Sequence, residues 1–171
     1  LSYLDFRMPT LRDAGYVVGG VVALFALQML VSVVFSAIGV DAASHNVEQT
    51  ARGGDASILL LMIPASWLLI GPGEELLYRN IIQKDLYDTF GGWGGVLVGS
   101  VAFSLAHIPA YAAGASSIAA LASTLAVILG LSLILGATYL ATGNVTVPAL
   151  IHGTFDAGVF GAMYLQLTGG A

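Results

Sequence analysis

Residues 57–79 read Ser57-Ile-Leu-Leu-Leu-Met-Ile-Pro64-Ala-Ser-Trp67-Leu-Leu-Ile-Gly71-Pro-Gly-Glu74-Glu75-Leu-Leu-Tyr78-Arg79. An apolar run broken by proline and glycine ends in two adjacent carboxylates and a guanidinium. A charged side chain in hydrocarbon costs about 2.5–3.5 kcal/mol on insertion scales. A chain keeps such groups together inside a membrane only where they face a protected interior. This stretch therefore decides both the fold class and the place to look for chemistry.

The remainder of the chain agrees. Hydrophobic residues make up 57% of the 171 positions and charged residues 9%, against about 25% charged in soluble domains. Mean hydropathy is +0.90. These values require an integral membrane protein, expected to be an all-α, polytopic transmembrane helix bundle of about five to six spans. One membrane-embedded domain is expected over 1–171, its motif-bearing core at about 57–167. The chain has no cysteine, which excludes disulfide and thiolate chemistry. A net charge of −5 with a single lysine argues against nucleic acid as a partner. Ser2 to Asp13 is polar-mixed and lacks the apolar core and cleavage site of a signal peptide.

The spans are expected at about Tyr16–Val40, from Ala56 through the glutamates to Tyr87, at about Gly94–Ile108, at Ser116–Ala141 and at Val147–Leu167. Asp41 to Asp55 reads as a polar loop, and His45 within it as solvated. The Gly71-Pro72-Gly73 break puts Glu74 near a helix start, where the dipole favours an anion. Glycines 91, 95 and 99 suit close helix packing. Trp67, Tyr78, Tyr87 and Trp93 read as interfacial anchors. Arg7 and Arg12 precede the first span and Lys84 follows the second, so the positive-inside tendency places the N-terminus on the cytoplasmic side of the cell membrane.

Inside the apolar segments the ionisable groups reduce to Glu74, Glu75, Arg79, His107, His152 and Asp156. Glu75 and Arg79, Phe103 and His107, and His152 and Asp156 each stand four residues apart, on one helix face. Glu74 lies about 100° round the helix from Glu75. If Arg79 neutralises Glu75, Glu74 is left to face a cavity and to exchange a proton with water, the division of labour a general base needs. His107 can hold the same water or deliver a proton to a leaving amine. His152 can donate to an oxyanion.

Glu74-Glu75-x-x-x-Arg79, Phe103-x-x-x-His107 and His152-x-x-x-Asp156, in that order and each on its own apolar helix, resemble the motifs of the CAAX-processing and bacteriocin-processing membrane endopeptidases. These form the type II CAAX prenyl endopeptidase or ABI family of glutamate intramembrane proteases. The resemblance implies peptide-bond hydrolysis by a glutamate-activated water, with no obligatory metal or other cofactor. Carried over by position, Glu74 and His107 would activate the water, while His152 and Asp156 would stabilise the oxyanion. Glu75 and Arg79 would support them, and Phe103 would pack around His107. Prenyl-processing members carry asparagine where this chain has Asp156, so that carboxyl would have to be protonated or paired with His152. Eukaryotic members also have more spans than are read here.

The implied partners are membrane lipid and a peptide or protein substrate with an apolar or lipidated end. Three other readings use the same residues. A zinc site could draw on His107, His152 and a carboxylate from Glu74 or Asp156, although no His-Glu-x-x-His is present. Buried acids and histidines also build the relays of proton- or ion-coupled transporters. A non-catalytic immunity or scaffold protein would need only the helices.

Overall fold

The computed structural model describes residues 3–169, and its organisation follows from where proline, glycine and polar residues interrupt the apolar sequence. Helix α1 spans Leu11–Ala37 and α2 is the short Asn46–Arg52. The glutamate-bearing rod α3 covers Ser57–Gln83. It is followed by α4 (Tyr87–Ala106), α5 (Ile118–Thr142) and α6 (Thr146–Thr168). The described residues contain no strand. Helices α1, α3, α5 and the span begun by α4 are long and apolar enough to cross a bilayer. Helix α6 has comparable length at 23 residues but carries His152 and Asp156. It is the sheltered helix of the set, packed against α1, α3 and α5.

An all-α membrane bundle is thus what the sequence builds, and its outer surface is as apolar as lipid contact requires. Val18, Val22, Met29 and Val33 of α1 are exposed, as are Leu61 and Leu68 of α3 and Leu97 and Leu105 of α4. In water such surface would drive aggregation; in hydrocarbon it costs nothing. The packed centre is small. Leu24 of α1, Leu135 of α5 and Val147, Ile151 and Phe155 of α6 form its buried apolar cluster.

Several local expectations are corrected. The segment 41–55 is not all loop: His45 caps α2 by accepting the Val47 N–H on Nδ1 at 3.0 Å. His45 itself is half-buried, its ring edge-on to Tyr111 with centroids 5.0 Å apart. Of the three spaced glycines, only Gly95 and Gly99 pack, both against the Gln83 turn of α3. Gly91 instead makes the bend that opens the span, with φ +70°, a conformation that costs glycine no side-chain clash. Trp67 is tied to α6 through its indole N–H, which donates to Thr154 Oγ1 at 3.1 Å. Tyr78 sits edge-on to Phe103, centroids 4.9 Å apart. Both residues thus make specific contacts within the protein.

The chain before α1 acts as a strap across one end of the bundle. The Asp5 N–H donates to Asn80 Oδ1 at 2.7 Å, and the Val145 N–H donates to the Asp5 carbonyl at 2.9 Å. The Asp5 carboxylate accepts from Lys84 Nζ at 2.8 Å and from the Tyr139 hydroxyl at 2.5 Å. Asn144 Oδ1 accepts from the Arg7 N–H, and Arg7 then pairs with Asp13 in the Thr10 capping box that starts α1. Arg7, Arg12 and Lys84 share this end with the α5–α6 turn; α2 lies at the other end.

Candidate active site

Helix α3 positions the first motif by an irregularity of its own. Pro64 and Pro72 supply no N–H, so the regular hydrogen-bond ladder cannot run through them. The rod stays continuous by widening: residues 66–70 and 76–83 are π-helical turns on either side of a short α-helical piece, Gly71–Glu75. The Gly71 N–H donates five residues back to the Ser66 carbonyl. Such turns recur at functional sites because they re-aim side chains without ending a helix. Glu74 therefore sits inside a continuous helix and not at a helix start, which removes the dipole stabilisation expected there.

The widened rod sends its two glutamates in different directions. The Glu75 and Arg79 side chains are both 0% exposed. Glu75 Oε2 accepts from Arg79 Nε at 2.8 Å, and Arg79 Nη2 donates to Ser132 Oγ of α5 at 2.8 Å. The guanidinium carbon lies 5.1 Å from the centre of the Phe103 ring, within range of a cation–π contact. Glu75 Oε1 stands 2.9 Å from His152 Nδ1 of α6. A carboxylate engaged by arginine is an acceptor, so Nδ1 carries a proton and the ring turns Nε2 towards the cavity.

Glu74 turns towards that cavity and is about one-third exposed. Its Oε2, buried and without a hydrogen-bond partner in the protein, lies 3.9 Å from His107 Nε2 and 4.0 Å from His152 Nε2. The tautomer of His107 follows from its other nitrogen. Nδ1 is 2.8 Å from the Phe103 carbonyl oxygen, which can only accept, so Nδ1 is the protonated atom and a neutral ring presents a lone pair at Nε2. Phe103 packs against the His107 ring at 4.5 Å between centroids and reaches the His152 ring at 5.9 Å. Asp156 Oδ2 stands 3.3 Å from His152 Nε2, one turn along α6.

The spacing between α3 and α6 is set by backbone contact. A Cβ built on Gly71 would lie 2.8 Å from the Ala149 carbonyl oxygen and 3.0 Å from the Gly153 nitrogen. One built on Gly153 would lie 2.7 Å from the Ser66 carbonyl oxygen. Only glycine permits this approach, and it is what brings His152 within reach of Glu75.

Glu74, His107, His152 and Asp156 line one cavity of about 460 Å³, and Glu75 and Arg79 form its buried support. Leu24, Leu131 and Phe155 give it apolar walls, and it reaches His45 and Glu48 at the α2 end. Among the described residues no three His, Asp or Glu side chains have the arrangement of a metal site. Sequence reading overlooked Ser132, which holds Arg79. Its signal was present in the Ser132-x-x-x-Gly136 pair, a small-residue spacing that marks close helix approach. It also overlooked His45 and Glu48 as cavity residues, which no local pattern reveals.

A buried ion pair, two histidines and a glutamate oxygen without a protein partner thus meet at one cavity between apolar helices. Comparison with known proteins points the same way. No curated protein and no solved structure matches the chain. The family model described as "Type II CAAX prenyl endopeptidase Rce1-like" matches residues 56–158, more than half of the chain and the whole of the three-motif region. By that match the chain is a member of the type II CAAX prenyl endopeptidase Rce1-like family, an integral membrane peptidase.

Proposed function

We propose that this peptidase cleaves its substrate with a water activated by Glu74 and His107, without a metal ion. The observation that carries the reading is the pair of separations near 4 Å from Glu74 Oε2 to the two imidazole Nε2 atoms. They are too long for direct hydrogen bonds and short enough for one oxygen to contact carboxylate and ring together. In this scheme Glu74 takes a proton from the water while His107 Nε2 accepts its other hydrogen. The hydroxide attacks the carbonyl carbon. The tetrahedral oxyanion is met by the proton shared between His152 Nε2 and Asp156 Oδ2. Glu74 then returns its proton to the leaving amine as the C–N bond breaks.

Each surrounding group has a task in this scheme. Ser132 holds Arg79, Arg79 holds Glu75, Glu75 orients His152, and Phe103 shields both rings. A shared proton between His152 and Asp156 also answers the charge problem of a carboxylate beside an oxyanion. We further propose that the substrate enters with an apolar or lipidated end, that the chain resides in the cell membrane, and that the Arg7–Lys84 end faces the cytoplasm.

The test is a comparison of membrane-protein cleavage products in cells carrying the native chain or Glu74→Gln. Products that depend on Glu74 are expected, and their formation by purified protein should survive chelator. Identical product sets in the two strains overturn the reading.

A further inference from the structure

The cavity is one-sided in charge. Three of its lining residues carry carboxyl groups, Glu48, Glu74 and Asp156, and no lysine or arginine lines it. Arg79 is held behind the wall by Glu75 and Ser132. Arg52 engages Glu48 Oε1 through Nε at 2.9 Å, but its side chain is 56% exposed and does not line the cavity. His45 does not offset the carboxylates: burial, with the nearby His107 adding to it, pushes its imidazole below the ordinary value and keeps it neutral. Glu48 itself is only 21% exposed. It lies on α2 at the cavity wall and precedes residues 56–158 that match the family.

Charge in a poorly solvated, apolar-walled cavity acts more strongly than on an open surface. A substrate segment that lies along it from Glu74 towards α2 passes Glu48. A cationic side chain there meets Glu48 Oε2, the carboxylate oxygen that Arg52 does not engage. A carboxylate, whether a side chain or a chain terminus, meets repulsion with no basic group to receive it.

We propose that Glu48 is a specificity residue that selects peptide segments carrying a cationic group on the α2 side of the scissile bond and rejects segments carrying a carboxylate there. This rests on the reading of the cavity as the place where the peptide is cut. It concerns a residue outside the three motifs, supplied by this chain's own N-terminal third.

The experiment reads binding, so that it stands apart from catalysis. Three fluorescent apolar peptides that differ only by Lys, Gln or Glu at one position are titrated into the Glu74→Gln protein in lipid nanodiscs, and anisotropy is followed. The expected affinity order is Lys, then Gln, then Glu, with a span of about tenfold. Adding Glu48→Gln should collapse the span to about twofold, and Glu48→Lys should invert it. Equal binding of the three peptides, binding of none, or an order that survives Glu48→Gln overturns the proposal. Glu48→Gln should leave the melting temperature within about two degrees, which separates recognition from loss of the Glu48–Arg52 pair. Cleavage of the Gln peptide by protein with Glu74 intact tests the hydrolytic reading independently of either result.

Discussion

Two polar clusters are embedded in this apolar bundle, and they are finished in different ways. At the strap end, the Asp5 carboxylate is saturated by Lys84 and Tyr139, and its backbone is bonded to Asn80 and Val145. Around the cavity, Glu75 is equally saturated by Arg79 and His152. Its neighbour Glu74 keeps a buried oxygen with no protein partner, about 4 Å from two imidazoles. A closed cluster stabilises the folded chain; an open one holds reactivity in reserve at some cost to stability. Substitutions in the first should therefore move the melting curve, and substitutions in the second should move the rate.

The largest effect belongs to the open cluster. Glu74→Gln should lower cleavage by about 10²–10⁴-fold with an unchanged melting temperature; a large drop in that temperature would erase the distinction between the clusters. Next is the closed half of the same site. Arg79→Ala leaves the Glu75 charge buried without its partner and should cost about 3–5 kcal/mol of stability, measured by unfolding in detergent. At the strap, Asp5→Ala removes the acceptor of a charged and a neutral donor. It should cost about 1.5–3 kcal/mol while the folded fraction keeps its kcat.

Two smaller effects sharpen the contrast. Asp156→Asn keeps a hydrogen-bonding group beside His152 Nε2 and should retain activity within about tenfold of the native rate; a folded but dead variant would remove the shared-proton account. Titration of the strap should appear only in stability. Burial alone would raise the Asp5 carboxyl, but hydrogen bonds from Lys84 and Tyr139, with the lysine charge, bring it below its ordinary value. A lowered folded-state value means the contribution is whole above the unfolded value of about 3.9 and is lost as the pH falls through the folded one. Melting temperature followed from pH 6 into acid should fall below about pH 4, and Asp5→Asn should flatten that part of the profile.

What could be read in advance divides along the same line. Helices announced themselves by apolar length, and the three four-residue spacings singled out the side chains that converge, because helical periodicity is a local property. The π turns did not announce themselves. Pro64 and Pro72 signal a disturbed ladder, but whether the rod breaks or widens depends on what α6 packs against it. Helix α2 was hidden by its length of seven residues and by its polarity, which resembles a loop. The strap was invisible: Asp5 reaches Asn80 and Tyr139 across separations of 75 and 134 residues, and no spacing rule spans such a distance. For the same reason Glu48 could not be connected with Glu74.

The glycine contact between α3 and α6 has a consequence for how the enzyme should behave in different lipids. With Gly71 and Gly153 in backbone apposition, the gap that separates Glu75 from His152 is a bare peptide thickness, and no compressible methyl groups lie between. Such a joint works as a fixed gauge block: changes in acyl-chain length or lateral pressure can tilt the two rods as a unit but have no slack to take up between them. Turnover differences among bilayers would then report how readily substrate reaches the cleft, with the reacting groups holding station throughout.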